Sequence, residues 1–269
     1  MLKHLFNSAK GHYNRGLRLA GKGRMEEAIS AYDESLKADD KLARAYDARG
    51  AAYLTLGRVL PAAQDLDRAI ALDPKAASPY VNRSSLFIRQ GNFERAIADL
   101  DQAIRLDPKD AAAYNNRGST QNKLGRYAQA IADFDAALGL NPHYASAASN
   151  RGTVYNRLGQ IERAITDYGL AIRIDPRHAP AYNNRGSAYN RLGEYEQAIE
   201  DLDIAIRLEP NFARAYDARS LAWRKLGDPY RALDDFERAV KLDPSLNQLR
   251  KRRFGVKRGG RHVPKRRRA

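Results

Sequence analysis

Arginine recurs in this chain at a spacing that could hold carboxylates or other anions. It stands at seven positions 34 residues apart: Arg15, Arg49, Arg83, Arg117, Arg151, Arg185 and Arg219. Six of these have an aspartate sixteen residues later: Asp65, Asp99, Asp133, Asp167, Asp201 and Asp235. A planar guanidinium can donate two parallel hydrogen bonds to one carboxylate. The pattern therefore indicates either an internal ladder of ion pairs or an array that binds anionic ligands.

A second set of polar residues repeats beside the arginines. Its members are amides, hydroxyls and cations: Asn82, Asn115, Asn116, Ser119, Asn122, Lys123, Asn150, Thr153, Asn156, Arg157, Asn183, Asn184, Ser187, Asn190 and Arg191. An amide offers both a donor and an acceptor, which an extended peptide backbone requires. The cations would favour acidic or phosphorylated ligands. We interpret the set as a groove for an extended polar or acidic peptide, while plain solvation of a wet surface would explain it too.

Signals for catalysis are missing from the sequence. The five histidines (His4, His12, His143, His178 and His262) fall at no metal-ligand spacing, and the chain has no cysteine. No glycine-rich phosphate loop follows a strand. We therefore expect no enzymatic activity, no metal, no cofactor and no small-molecule substrate.

The elements that position these residues follow from the same period. Counting position 1 from Ala9 gives seven gapless repeats: 9–42, 43–76, 77–110, 111–144, 145–178, 179–212 and 213–246. Positions 4, 7, 8 and 11 mark one face of a helix A, and positions 20, 24, 27 and 28 mark a face of a helix B. Glycine at position 15 ends helix A, and proline at position 32 ends helix B in six repeats. Residues 1–8 lead into the first helix.

With these positions assigned, the chain resembles the tetratricopeptide repeat family, which combines an aromatic at position 4, Gly at 8, Tyr at 11, Ala at 20 and 27, and Pro at 32. The resemblance implies an all-α, right-handed superhelical solenoid of antiparallel helix pairs, with helices A on the concave side. It also implies a scaffold or peptide-binding role. The family's chaperone-binding members carry lysine at position 5, which is never lysine here.

Helical geometry decides between the two interpretations of the arginines. In a hairpin that turns near position 15, positions 7 and 23 lie at the same level on facing helices. We therefore predict six internal pairs, Arg49–Asp65, Arg83–Asp99, Arg117–Asp133, Arg151–Asp167, Arg185–Asp201 and Arg219–Asp235. Acids at position 25 precede bases at position 29, as in Asp33–Lys37, Asp101–Arg105 and Asp203–Arg207, and predict i, i+4 pairs within helices B.

The net charge of +15 belongs mainly to the C-terminal tail. Residues 247–269 contain eleven basic residues and no acid, whereas the rest of the chain has 36 basic and 32 acidic residues. We predict a short capping helix followed by a disordered basic arm with two clusters, Arg250, Lys251, Arg252, Arg253 and Lys265, Arg266, Arg267, Arg268. Such an arm would contact nucleic acid or an anionic membrane without sequence specificity.

Three functional hypotheses remain from the sequence. The first is a non-enzymatic protein–protein interaction scaffold with a polar, mildly basic groove centred on repeats four to six. The second is an adaptor that the basic tail tethers to nucleic acid or an anionic surface. The third is a targeting subunit for a separately encoded enzyme. No segment has the apolar core of a signal peptide or a membrane helix, so we expect a soluble cytoplasmic protein.

Overall fold

A computed structural model describes residues 2–249, and side chains from residue 8 to residue 248. The described part is built from α-helices in tandem pairs, without strands. Each 34-residue repeat contributes a helix A and a helix B, as the sequence predicts. The helices A are α1 (Leu2–Gly21), α3 (Ala43–Thr55), α5 (Ser78–Arg89), α7 (Ala111–Lys123), α9 (Ala145–Arg157), α11 (Ala179–Leu192) and α13 (Ala213–Lys225). The helices B are α2 (Met25–Ala38), α4 (Val59–Leu72), α6 (Phe93–Leu106), α8 (Tyr127–Leu140), α10 (Ile161–Ile174), α12 (Tyr195–Leu208) and α14 (Pro229–Leu242).

The turn between helices A and B requires glycine at position 15. All seven glycines there have positive φ angles, from 73° at Gly57 to 86° at Gly193. L side chains rarely adopt this conformation, so glycine both ends helix A and reverses the chain. Along each repeat, the glycine thereby fixes which side chains of the two helices face each other.

The two helices of a repeat pack through small residues. Alanine at position 20 is completely buried from Ala28 to Ala232, and the large residue at position 24 is buried beside it. Glycine at position 8 lets helix A approach closely: a Cβ built on Gly186 would lie 2.8 Å from Leu202 Cγ and 3.0 Å from the Ala198 carbonyl oxygen. The core is therefore a succession of small apolar layers, one for each helix pair.

The chain divides into two compact units, Met1–His143 and Tyr144–Ala269. The first contains α1 to α8, and the second contains α9 to α14. Within the first unit α1 contacts α3 and α3 contacts α5, and within the second α9 contacts α11 and α11 contacts α13. Successive helices A thus meet one another, and we call the side of each unit that they form its A-helix face.

Both ends of the repeat array differ in detail from the predicted boundaries. Helix α1 begins at Leu2, so residues 2–8 already belong to the first helix. After α14 the chain forms a 3-10 helix, Pro244–Leu249, which contacts α14. The predicted cap therefore begins three residues earlier than expected, and it is a 3-10 turn in the described chain.

Candidate functional site

Each position-7 arginine from Arg49 onward binds the aspartate of its own repeat through two hydrogen bonds. The Nε and Nη2 atoms donate to the two carboxylate oxygens over 2.6–3.0 Å. The aspartates are buried, with 4–7% of their surface exposed. These six pairs, from Arg49–Asp65 to Arg219–Asp235, lie between helix A and helix B of one repeat. The structure therefore places the guanidiniums inside the helix pairs.

Four of these arginines also bind a second aspartate, a contact that the sequence analysis did not predict. The Nη1 atom of Arg49 donates to Asp33 over 2.5 Å, that of Arg83 to Asp67 over 2.7 Å, and that of Arg117 to Asp101 over 2.6 Å. Arg219 pairs with Asp203 in the same way. All four aspartates stand at position 25 of the preceding repeat. One arginine thus ties two repeats together.

The predicted i, i+4 pairs at three of these aspartates are wrong. Asp33, Asp101 and Asp203 each bind an arginine of the next repeat. Lys37 pairs instead with Glu34, and Arg105 donates to the side-chain oxygen of Gln102. The physical reason is that the position-7 guanidinium is part-buried and already fixed by its own aspartate. A preorganised, desolvated donor is a better partner than a flexible surface cation.

Aromatic rings complete the surroundings of the arginines. The guanidiniums of Arg49, Arg83, Arg117, Arg185 and Arg219 lie 5.5–5.9 Å from the ring centroid of the tyrosine three residues earlier. The hydrogen bonds that Arg83 donates to Asp99 and Arg117 donates to Asp133 raise the pKa of both arginines. These two guanidiniums are therefore charged at physiological pH.

One rung of the ladder lacks its second carboxylate. Arg185 binds Asp201 through Nε and Nη2 over 2.7 Å, but the residue sixteen positions before it is Gly169. Hydrogen bonding to Asp201 raises the pKa of Arg185. Among residues 2–249, Arg185 has no second acidic partner.

The polar residues of the A-helix face mostly contact one another and the neighbouring repeats. In the first unit, Asn82 Nδ2 donates to Asp47 Oδ1 over 2.8 Å, and the Ser78 hydroxyl donates to Asp47 Oδ2 over 2.6 Å. Burial raises the pKa of Asp47, and the hydrogen bonds from Ser78 and Asn82 act in the opposite direction. Asn82 is thus a link between the second and third repeats.

Position 5 is largely buried. Asn115 and Asn183 are each only 7% exposed, and each donates from Nδ2 to the following asparagine, Asn116 or Asn184. In the second unit this burial follows from the contacts of α11 with α9 and α13. The exposed side of the face is therefore formed by positions 6, 9, 12 and 13.

Several of the predicted groove residues link successive repeats. Asn190 Nδ2 donates to the main-chain oxygen of Ala218 over 2.8 Å, and Arg191 donates to the main-chain and side-chain oxygens of Asn156. Arg89 likewise donates to the main-chain oxygen of Leu54. Arg89 and Arg191, both at position 13, thus cap the carboxyl end of the preceding helix A.

The remaining predicted groove residues lie on helices A with varied surroundings. Lys123 Nζ lies 5.5 Å from the ring centroid of Phe93. The Thr153 hydroxyl donates to the main-chain oxygen of Ser149 over 3.0 Å and accepts from Tyr168. The half-buried members are Asn116, Ser119, Asn122, Asn150, Asn184 and Ser187, and Arg157 is exposed.

Two amide oxygens on α11 have no hydrogen-bond donor within the described chain. They are Asn183 Oδ1 and Asn190 Oδ1, which lie two helical turns apart, and both atoms are buried. A buried acceptor without a donor costs about 1–3 kcal/mol. These oxygens are the chemical complement of a main-chain N–H group. Sequence analysis selected both residues but could not single out their oxygens, because hydrogen-bond partners depend on the neighbouring repeats.

Other kinds of site find no support in the described residues. Between residues 2 and 249 no three His, Asp or Glu side chains lie close enough to hold a metal ion. No helix in this part is long and apolar enough to cross a membrane. The predicted anion-binding residues of the tail, Arg250–Arg253 and Lys265–Arg268, lie outside the described residues.

Comparison with known families and structures agrees with the repeat architecture. Family models described as tetratricopeptide repeat match residues 10–77, 81–145, 179–212 and 213–246, and one described as TPR repeat matches residues 152–193. Comparison with curated protein sequences gave no match.

Several solved structures share the fold. A chain of the APC/C hetero-tetramer Cut9-Hcn1 matches 89% of this chain with a TM-score of 0.79 and 20% identity. A tetratricopeptide repeat protein from Parabacteroides merdae matches 91% of this chain and 98% of its own, with a TM-score of 0.70 and 20% identity. YrrB, described as a TPR protein with an unusual peptide-binding site, matches 70% of this chain and 97% of its own, with a TM-score of 0.52 and 23% identity. Our chain spans about half (48%) of the Cut9-Hcn1 chain that it matches.

Proposed function

The chain belongs to the tetratricopeptide repeat family, and on that premise we propose that it is a non-enzymatic scaffold that holds an extended segment of a protein partner on its A-helix face. Protein–protein interaction is the role that the family's fold suggests. The finer assignment, an extended polar or acidic peptide bound through amides, is ours.

The observation that carries this proposal is the pair of unpartnered oxygens on α11. Asn183 Oδ1 and Asn190 Oδ1 are acceptors without a donor among the described residues. An extended peptide presents main-chain N–H groups at regular intervals, and we infer that the two side chains reorient on binding so that their oxygens accept from such groups. The hydrogen bond formed on binding would then offset the free-energy cost of the unsatisfied buried acceptor.

The neighbouring repeats offer a compatible surface. In the second unit, Asn150 and Asn184 occupy the same position of two successive repeats and are half-buried on helices A. Each amide can donate to a peptide carbonyl and accept from a peptide N–H group. YrrB, whose fold is similar, is described as having a peptide-binding site, which supports a peptide as the class of ligand.

The experiment is a selection of unstructured peptides from a random library on the immobilised full chain. The affinity of a selected peptide is then measured by calorimetry for the wild type and for the variant Asn150→Ala/Asn184→Ala. Each lost hydrogen bond costs about 0.5–1.5 kcal/mol, so we expect the affinity to fall about tenfold.

The matched control replaces two exposed residues of helices B in the same repeats, Glu162→Ala/Gln197→Ala. This variant should bind the peptide as the wild type does. Equal affinities for the wild type and the asparagine variant would overturn the proposed role of the A-helix face.

A further inference from the structure

The arginine ladder has an incomplete rung in the second unit. At four other junctions, an aspartate at position 25 binds the arginine of the following repeat: Asp33 with Arg49, Asp67 with Arg83, Asp101 with Arg117, and Asp203 with Arg219. At the junction between the fifth and sixth repeats, position 25 is Gly169. The guanidinium of Arg185 is present there with Asp201 as its partner, and the second carboxylate is missing.

The geometry around Gly169 concentrates positive charge on an open space. A Cβ built on Gly169 would lie 3.6 Å from Arg185 Nη1 and 3.7 Å from Arg173 Nη1, with no other heavy atom outside its own chain neighbourhood within 4 Å. Arg173 is exposed and forms no ion pair with any acid of the described chain. Two guanidinium groups therefore converge where an aspartate side chain would begin. We call Gly169, Arg173 and Arg185 the Gly169 notch.

Clefts at two equivalent junctions show that solvent reaches the space between successive repeats at this level. Between the first and second repeats, a cleft of about 500 Å³ is lined by residues that include Asp33 and Arg49. Between the sixth and seventh, a cleft of about 350 Å³ is lined by residues that include Asp203 and Arg219. Each of these clefts already contains the position-25 carboxylate that pairs with the Nη1 atom of its arginine. The Gly169 notch has the arginine without that carboxylate.

We propose that the Gly169 notch binds a carboxylate, supplied by an Asp or Glu side chain of an acidic segment of a protein partner. The ligand class follows from the rungs of the ladder, where the Nη1 atom of the same arginine position holds a carboxylate oxygen at 2.5–2.7 Å in three repeats. Arg185 is held in place by its two bonds to Asp201, so its Nη1 atom is preorganised for the ligand.

Arg173 adds a second hydrogen-bond donor, whose exposed side chain can move toward the bound carboxylate. Its side chain is exposed, whereas Arg185 is mostly buried, with 23% of its side-chain surface accessible. A carboxylate between the two would receive charge-assisted hydrogen bonds and relieve the repulsion between like charges. The notch uses none of the A-helix face asparagines, so this proposal does not rest on the peptide-binding role of that face.

The test follows the arginine side-chain N–H resonances by NMR in the full-length protein labelled with ¹⁵N-arginine. Sodium acetate, sodium phosphate and sodium chloride are titrated at constant ionic strength. In the wild type, acetate should shift the resonances of Arg173 and Arg185 saturably, while chloride should not. In the variant Gly169→Asp, which supplies the missing carboxylate, the saturable shift should be lost.

A reciprocal variant makes the test independent of how Gly169→Asp folds. Asp203→Gly removes the position-25 carboxylate at the next junction, where Arg207 and Arg219 stand at the positions of Arg173 and Arg185. Acetate should then produce a new saturable shift at Arg219. Saturation by phosphate but not by acetate would overturn the assignment to a carboxylate. Shifts that rise linearly in all variants would identify an adventitious ion only, and would overturn the proposal.

Discussion

Arg117 and Asp133 form a two-pronged ion pair across the two helices of the fourth repeat. Arg117 Nε donates to Asp133 Oδ2 over 3.0 Å and Nη2 donates to Oδ1 over 2.6 Å. The third terminus, Nη1, donates to Asp101 of the third repeat over 2.6 Å. The Arg117 side chain thus links the two helices of its own repeat and also links that repeat to the preceding one. Because the arrangement recurs, it sets the register of the stacked repeats.

Removing the buried carboxylate should destabilise the fourth repeat. The variant Asp133→Ala leaves the Arg117 guanidinium part-buried, with only Asp101 as its partner. We expect a loss of about 1–3 kcal/mol in the free energy of unfolding. Urea denaturation followed by circular dichroism measures it, and hydrogen exchange in α7 and α8 shows whether the loss is local, since repeat arrays can unfold in parts.

Replacing both members of the pair gives the matched control. Arg117→Met/Asp133→Leu removes the charges together and should be less destabilised than Asp133→Ala, because no buried charge is left uncompensated. If the double variant were as unstable as Asp133→Ala, the loss would arise from packing and not from the orphaned charge.

A methyl group at position 8 should be harmful where the helices are closest. Gly186→Ala would place a Cβ 3.0 Å from the Ala198 carbonyl oxygen, which cannot move without shifting α12. We expect a net loss of about 1–2 kcal/mol from overpacking, despite the better helix propensity of alanine. Gly139→Ala, whose Cβ would meet no heavy atom within 4 Å, should instead stabilise by about 0.5–1 kcal/mol. Thermal unfolding of both variants compares them, and equal effects would refute the close approach.

The link between Asp47, Ser78 and Asn82 should make stability depend on pH. Burial raises the pKa of Asp47 above its ordinary value of 3.8, so the folded state binds its proton more tightly than the unfolded state does. This contribution to stability is present at low pH, falls as pH rises from about 3.8 through the folded-state pKa, and is lost at neutral pH.

Asp47→Asn keeps one acceptor oxygen, for Asn82, places an NH2 group where the Ser78 hydroxyl can accept, and removes the ionisation. The stability of the variant relative to the wild type should therefore increase as pH rises from about 3 to about 7. Urea midpoints measured across this range provide the comparison. A constant difference between the two proteins at all pH values would contradict the prediction.

The basic tail remains a prediction from sequence, because its clusters lie beyond residue 249. If Arg250–Arg253 and Lys265–Arg268 contact polyanions, the full chain should bind nucleic acid or anionic vesicles with an affinity that falls steeply with salt concentration. A chain that ends after Leu249 should lose this binding. Retention of the binding by the shortened chain would place the contact on the repeats.

The helix pairs could be predicted from the sequence because the residues that determine each pair lie within a single repeat. Glycine at position 15 and alanine at position 20 act within a single hairpin, and the Arg–Asp spacing of sixteen matches two facing helices. The second carboxylate was missed although its signal was present: Asp101 precedes Arg117 by the same sixteen residues that separate Arg117 from Asp133. Reading position 25 only within its own helix concealed this contact.

The A-helix face was harder to predict for a physical reason. Its contacts run between repeats, so they depend on how closely successive helices A approach. The sequence placed Asn183 on the groove side, but the contacts of α11 with α9 and α13 bury it. Arg191 was predicted to attract an acidic ligand, but in the structure it donates to the main-chain oxygen of Asn156 in the preceding repeat. Residue type alone does not distinguish these roles.

Photo-crosslinking of a selected peptide tests the central claim most directly. A peptide chosen on the wild-type chain is synthesised with a benzophenone side chain, irradiated in the complex, and the crosslinked residues are identified by mass spectrometry. We predict crosslinks on the A-helix face, near Asn150 on α9 and Asn184 on α11. Crosslinks confined to helices B, such as α10 and α12, would contradict the account.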